Sequence, residues 1–93
     1  MKTNTSEKTR FVIVGAAESG VGAAMLATRK GFDVFVSDNG IIKEEYKRLM
    51  NHHSIVFEES GHTEHKILNA DEVIKSPGIP EKSALMKKIR AQQ

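Results

Sequence analysis

The 93-residue chain contains no cysteine and no tryptophan, one tyrosine and two prolines. Without thiols it has neither a disulfide framework nor a thiolate metal site, which agrees with a reducing compartment. No window approaches the ~18 consecutive apolar residues of a membrane helix, and the polar opening MKTNTSEKTR lacks the apolar stretch of a signal peptide. These absences predict a cytoplasmic protein with no membrane association. Its 14 basic and 12 acidic residues are spread along the chain for a net charge of +2. A nucleic-acid binder would cluster its positive charge on one face, so no nucleic-acid partner is expected. What is present, 39% hydrophobic residues and seven glycines, describes one small domain with a modest core.

Residues 1–9 read as a disordered or expression-derived lead. Phe11, Val12, Ile13 and Val14 then form a continuous apolar run, the pattern of a strand buried on both faces. From Ser19 the period turns helical: Val21, Ala24, Met25 and Thr28 share a face, and Arg29, Lys30 and Gly31 supply a basic last turn and a glycine stop. The cycle repeats in a strand over 33–37 and a helix within IIKEEYKRLM, where Ile42, Tyr46, Leu49 and Met50 line one face. A third strand over 54–58 leads into a short polar segment whose Ile67 and Leu68 cover the sheet, and a fourth strand follows over 72–75. Pro80 sits where a helix can begin without losing a needed amide, and Leu85, Met86 and Ile89 give that helix an apolar stripe. Strands alternating with helices predict an α/β domain, a Rossmann-like doubly wound parallel sheet of about four strands with helices on both faces. Because the chain stops after a helix that ought to lead into another strand, residues 10–93 read as a single-domain fragment of a longer protein.

In such sheets ligands bind beyond the carboxyl ends of the strands, where the amides of a following helix point at an anion. The bend GAAESG, residues 15–20, falls there. Gly15 permits a tight turn off the first strand, and Gly20 or Gly22 lets the helix start pack against the sheet. Ser19 is placed to cap the helix or to donate its hydroxyl to a phosphate oxygen. The pattern suggests diphosphate binding, although the dinucleotide motif G-x-G-x-x-G is broken at Ala17, and a glycine bend can also serve helix packing alone. Asp38 stands where a dinucleotide domain keeps a carboxylate for ribose hydroxyls, yet SDNG is equally a favourable turn. The third stretch, KSPGIP at 75–80, is a rigid loop on the same sheet edge. Three loops converging on one crevice suggest one ligand.

VIVGAAESGVGAAMLATRKGFDVFVSD followed by ADEVIKSPGIP resembles the N-terminal domain of the Mur ligases, in the branch that adds D-glutamate to UDP-N-acetylmuramoyl-L-alanine. The family's G-x-G-x-S-G loop is matched at Gly15, Ser19 and Gly20, and SPGIP is the more specific signature. The resemblance covers the chain from about Arg10, and only the first of the family's three domains. It implies an ATP-dependent ligase of peptidoglycan precursor synthesis, with this domain holding the UDP part of the substrate. By the same resemblance, Glu18, Ser19 and Gly20 present amides and a hydroxyl to the diphosphate, Asp38 and Asn39 lie by the uracil and ribose, and Ser76, Pro77, Gly78 and Ile79 wall the uridine pocket. ATP and Mg²⁺ belong to a central domain and the incoming amino acid to a C-terminal one, both absent from this chain, so no residue here is expected to be catalytic. The chain itself holds no G-x-x-x-x-G-K-[ST] phosphate loop.

His62 and His65, three apart, and the adjacent His52 and His53 fix no third metal ligand by spacing, so they read as solvated loop histidines and no metal is expected. No Ser/His/Asp motif can be recognised. The alternative from a different class is a nicotinamide-nucleotide-binding domain of a dehydrogenase or sensor, supported by the strand-bend-helix unit and Asp38 and opposed by Ala17 and SPGIP.

Overall fold

The computed structural model describes residues 8–80 and 82–92, so most of the lead lies outside the described residues. Strands β1 (Arg10–Val14), β2 (Asp33–Ser37), β3 (Val56–Glu58) and β4 (Glu72–Lys75) alternate with helices α1 (Glu18–Arg29), α2 (Glu44–His52), α3 (Glu64–Ile67) and α4 (Ala84–Ala91). The four strands form one sheet in the order β3-β2-β1-β4. All three pairings are parallel, with Val12 opposite both Phe35 and Val73. The doubly wound parallel sheet expected from the sequence is therefore present.

Alternation along the central strands divides the core between the two faces. Ile13, Val34 and Val36 point to the side covered by α1 and α2, where they meet Val21, Ala24, Ala27 and Met50. Val12, Val14 and Phe35 point to the other side, against Ile67 of α3 and Leu85, Met86 and Ile89 of α4. A continuous apolar run is what a strand buried on both faces requires. Ile67 is wholly buried from a helix of only four residues, so the polar segment after β3 serves as a lid over the sheet. At the amino ends of the strands Arg10 joins distant segments: its guanidinium donates to Asn69 Oδ1 and the Lys66 carbonyl and pairs with Asp33 Oδ2 at 3.0 Å.

Several local expectations are corrected. The last helix begins at Ala84, four residues after Pro80, because Ser83 supplies the cap: its Oγ accepts from the Met86 amide at 3.3 Å. A serine cap satisfies an amide that proline at the first position cannot serve. β3 begins at Val56 rather than at residue 54, since Ser54 adopts a positive φ of 58° in the turn that leaves α2. On α1 the buried stripe is Gly20, Val21, Ala24 and Ala27, with Met25 and Thr28 only partly covered. On α2 Leu49 is exposed and Ile42 precedes the helix, leaving Met50 as its buried residue.

Candidate functional site

The reversal of strand order falls between β1 and β4, and the carboxyl-end loops next to it form the crevice where doubly wound sheets place ligands. Gly15 leaves β1 with φ of +103° and donates its amide to the Ser37 carbonyl at 2.8 Å. A Cβ on Gly15 would lie 2.5 Å from Ser76 Cβ, and one on Gly20 would lie 2.0 Å from the Gly15 carbonyl oxygen. Both positions therefore exclude a side chain. Gly22 meets nothing within 4 Å, so Gly20 rather than Gly22 is the glycine that lets the helix start close onto the bend.

Ser19 is not the cap of α1. Ala17 occupies that position with φ of −90° and ψ of −172°, and no side chain caps it. Extended values of this kind are open to any residue, so the backbone at the broken motif position does not require glycine. Glu18 and Ser19 are exposed in the first turn of this twelve-residue helix. An uncapped first turn leaves amides available to an oxyanion, in the geometry and dipole field that favour one.

Asp38 makes the tight turn that its sequence allowed and also reaches back to the glycine bend. Its Oδ2 accepts from the Ala16 amide at 2.7 Å and its Oδ1 from the Gly40 amide at 2.8 Å. The first bond ties the glycine bend to the loop after β2, and the second closes a local turn. Each carboxylate oxygen has two lone pairs, so one site on each is left for a ligand hydroxyl. The neighbouring Asn39 is exposed.

The SPGIP loop is held against β1 by the Ser76 amide, which donates to the Val14 carbonyl at 2.8 Å. Ile79 N donates back to Ser76 O at 3.0 Å, and Lys75 Nζ donates to Ile79 O at 2.9 Å. Pro77 and Gly78 are exposed at its tip, while Ile79 is half-buried and packs toward the α4 side of the core. Gly78 has neither a positive φ nor a neighbour within 4 Å of a built Cβ, so steric demand does not explain it.

A fourth loop, 59–63, belongs to the same edge and was not expected there. Ser60 N donates to Gly40 O at 2.8 Å and Gly61 N to Asp38 O at 3.2 Å, which fastens it to the Asp38 loop. Beneath it Glu58 Oε2 receives the Ser37 hydroxyl and the Thr63 amide, each at 2.7 Å, and Oε1 receives the Thr63 hydroxyl at 2.6 Å. Burial alone would raise the Glu58 pKa, but these donors outweigh it and hold the carboxyl below its ordinary value. His62 Nδ1 lies 2.6 Å from the same Ser37 hydroxyl, so this histidine is not simply solvated. The cluster of polar residues at the end of a strand, FEESGHT, is the signal that could have revealed it.

A groove of about 350 Å³ results, lined by Asn39, His62, Ile79, Pro80, Ser83 and Leu85 among others. Other cavities, of about 300 and 270 Å³, lie toward the amino ends of β4 and β2, away from the four loops. Among the described residues no group of three or more His, Cys, Asp or Glu could hold a metal ion, and no helix is long and apolar enough to cross a membrane.

Residues 9–85 match the sequence profile of the MurD N-terminal domain. The UDP-N-acetylmuramoylalanine--D-glutamate ligase of Bacteroides thetaiotaomicron is 60% identical over 83 residues, covering 89% of this chain and 19% of the relative. That of Porphyromonas gingivalis W83 is 51% identical over 83 residues, with 89% and 18% covered, and that of Chlorobium phaeobacteroides is 38% identical over 89 residues, with 96% and 19% covered. Among solved structures, bacillithiol disulfide reductase Bdr (YpdA) from Bacillus cereus aligns with 26% identity and a TM-score of 0.48 over 59% of this chain and 20% of its own. The chain spans about a fifth of the length of the curated relatives it matches. With a profile match over most of its length and a 60% identical relative aligned over 89% of it, the chain belongs to the MurD N-terminal domain family.

Proposed function

We propose that this chain binds the UDP moiety of UDP-N-acetylmuramoyl-L-alanine, as the N-terminal domain of the ligase that adds D-glutamate during peptidoglycan precursor synthesis. One observation carries the reading: the glycine bend is tied to Asp38 through the Ala16 amide and packed against Ser76 of the SPGIP loop, itself fastened to the end of β1 beside the strand-order reversal. The uncapped start of α1, with the amides of Glu18, Ser19 and Gly20, receives the diphosphate. Asp38 and Asn39 take the ribose and base, and Ser76, Pro77, Gly78 and Ile79 wall the uridine. Rigid loops favour binding because little freedom is left to lose when the ligand arrives.

The reaction of the whole ligase phosphorylates the substrate carboxylate with ATP and Mg²⁺ and then joins the amine of D-glutamate. This chain contributes the nucleotide end of that substrate site and no phosphoryl-transfer group. The nicotinamide-nucleotide alternative is not favoured by the family to which the chain belongs. NMR titration of the ¹⁵N-labelled chain with UDP and NAD⁺ in parallel tests the reading. Shifts at Ser19, Asp38 and Gly78 with UDP are expected, and a response to NAD⁺ alone would overturn it.

A further inference from the structure

The groove is bordered by a side chain to which the reading above gives no part. His62 Nδ1 is 2.6 Å from Ser37 Oγ, and that wholly buried hydroxyl is 2.7 Å from Glu58 Oε2. Three donors from Ser37 and Thr63 surround the Glu58 carboxylate, the arrangement of an ionised acceptor. A hydroxyl carries one proton. Since that proton goes to Glu58, Ser37 can only accept from the ring, so Nδ1 holds the imidazole proton. In the neutral ring Nε2 then bears a lone pair.

Nδ1 is anchored at the sheet, so Nε2 occupies the other side of the ring, and no described group hydrogen-bonds to it. Loop 59–63 is fastened to the Asp38 loop through Ser60 and Gly61, and His62 and Asn39 both line the 350 Å³ groove. The groove wall thus offers a fixed acceptor and a carboxamide that can donate or accept.

We propose that His62 is a base-reading residue of this groove, its Nε2 accepting the imide N3–H of uracil while Asn39 serves a flanking carbonyl. The inference rests on the uridine diphosphate reading above. Cytosine presents a lone pair at N3, so the same acceptor opposes it, and discrimination comes from the unpaired groups that the wrong base leaves. The chain Glu58–Ser37–His62 acts as a tautomer lock: it puts the ring proton on Nδ1 and leaves the lone pair on Nε2.

The test follows the histidine ring nitrogens of the ¹⁵N-labelled chain by NMR during separate titrations with UDP and CDP. The free protein is expected to show His62 protonated at Nδ1, UDP to move the Nε2 resonance, and UDP to bind roughly tenfold more tightly than CDP. His62→Phe should bring the two affinities together. The wild-type spectra keep the test decisive if that variant does not fold. An Nε2-protonated ring in the free chain, UDP binding that leaves Nε2 unmoved, or an unchanged UDP-to-CDP ratio in folded His62→Phe would each overturn the assignment while leaving uridine binding intact. A wild-type chain that binds no UDP would remove the broader reading, and this one with it.

Discussion

Gly15 and Ser76, sixty-one positions apart, are so closely packed that a Cβ on the glycine would come within 2.5 Å of the serine Cβ. A side chain at position 15 would have to displace the SPGIP loop. Gly15→Ala is expected to destabilise the chain by about 1–3 kcal/mol, since the φ of +103° is strained for any side chain even before the contact is counted. Adding Ser76→Gly should restore part of that loss by removing the contact but not the strain. Urea unfolding of both single variants and the double variant measures the coupling, and strictly additive losses would show that the contact is not shared.

Gly20 and Gly22 should respond to alanine with opposite signs. A Cβ on Gly20 would meet the Gly15 carbonyl at 2.0 Å, so Gly20→Ala must move backbone and lower the unfolding midpoint. Gly22 meets nothing within 4 Å, and Gly22→Ala should raise stability by roughly 0.5–1 kcal/mol, the ordinary gain of alanine over glycine inside a helix. Equal shifts in the two variants would contradict this placement of the helix start.

The serines at the two helix starts should also separate. Ser83 caps α4 through Met86 N, and Ser83→Ala is expected to cost about 1 kcal/mol of folding stability. Ser19 caps nothing and is exposed, so Ser19→Ala should leave the unfolding midpoint nearly unchanged and weaken UDP binding instead. Thermal unfolding and UDP titration of both variants, run side by side, distinguish the two roles.

Acid should loosen the loop after β3. Burial pushes Glu58 up, but hydrogen bonds from Thr63 and Ser37 outweigh it and hold the carboxyl below its ordinary value of 4.5. A group whose folded pKa lies below its unfolded one stabilises the fold above the unfolded value, and that contribution is lost as pH falls through the folded value. Glu58→Gln should therefore be less stable than wild type near neutrality, with the gap narrowing as the medium falls below about pH 4. Chemical unfolding midpoints of the two chains across that range report it, and a gap independent of pH would assign the stability to shape rather than charge.

Much of the architecture was legible because it is local. The run Phe11 to Val14 suits a strand covered on both sides, and the helical spacing of Val21 and Ala24 marked the face of α1 that the structure buries. SPGIP and the glycine bend pointed to the strand ends because Gly and Pro impose backbone geometry by themselves. Element edges were harder, since a cap depends on which side chain reaches an amide first. Ser83 reaches one and Ser19 does not, although both are serines at the start of a helix.

The succession of the four strands and of helices α1, α2 and α4 along the chain was determined by the sequence alone, through the period of its apolar residues and the placing of its glycines and prolines. Only the tertiary structure decided that Gly20 and not Gly22 closes the bend, that Asp38 holds Ala16, and that His62 joins Ser37 and Glu58 at the groove. Each of those is a contact between segments distant along the chain. The reason is geometric: parallel register brings the carboxyl ends of β1 to β4 to one edge, and no local pattern of residues records which side chains then meet there.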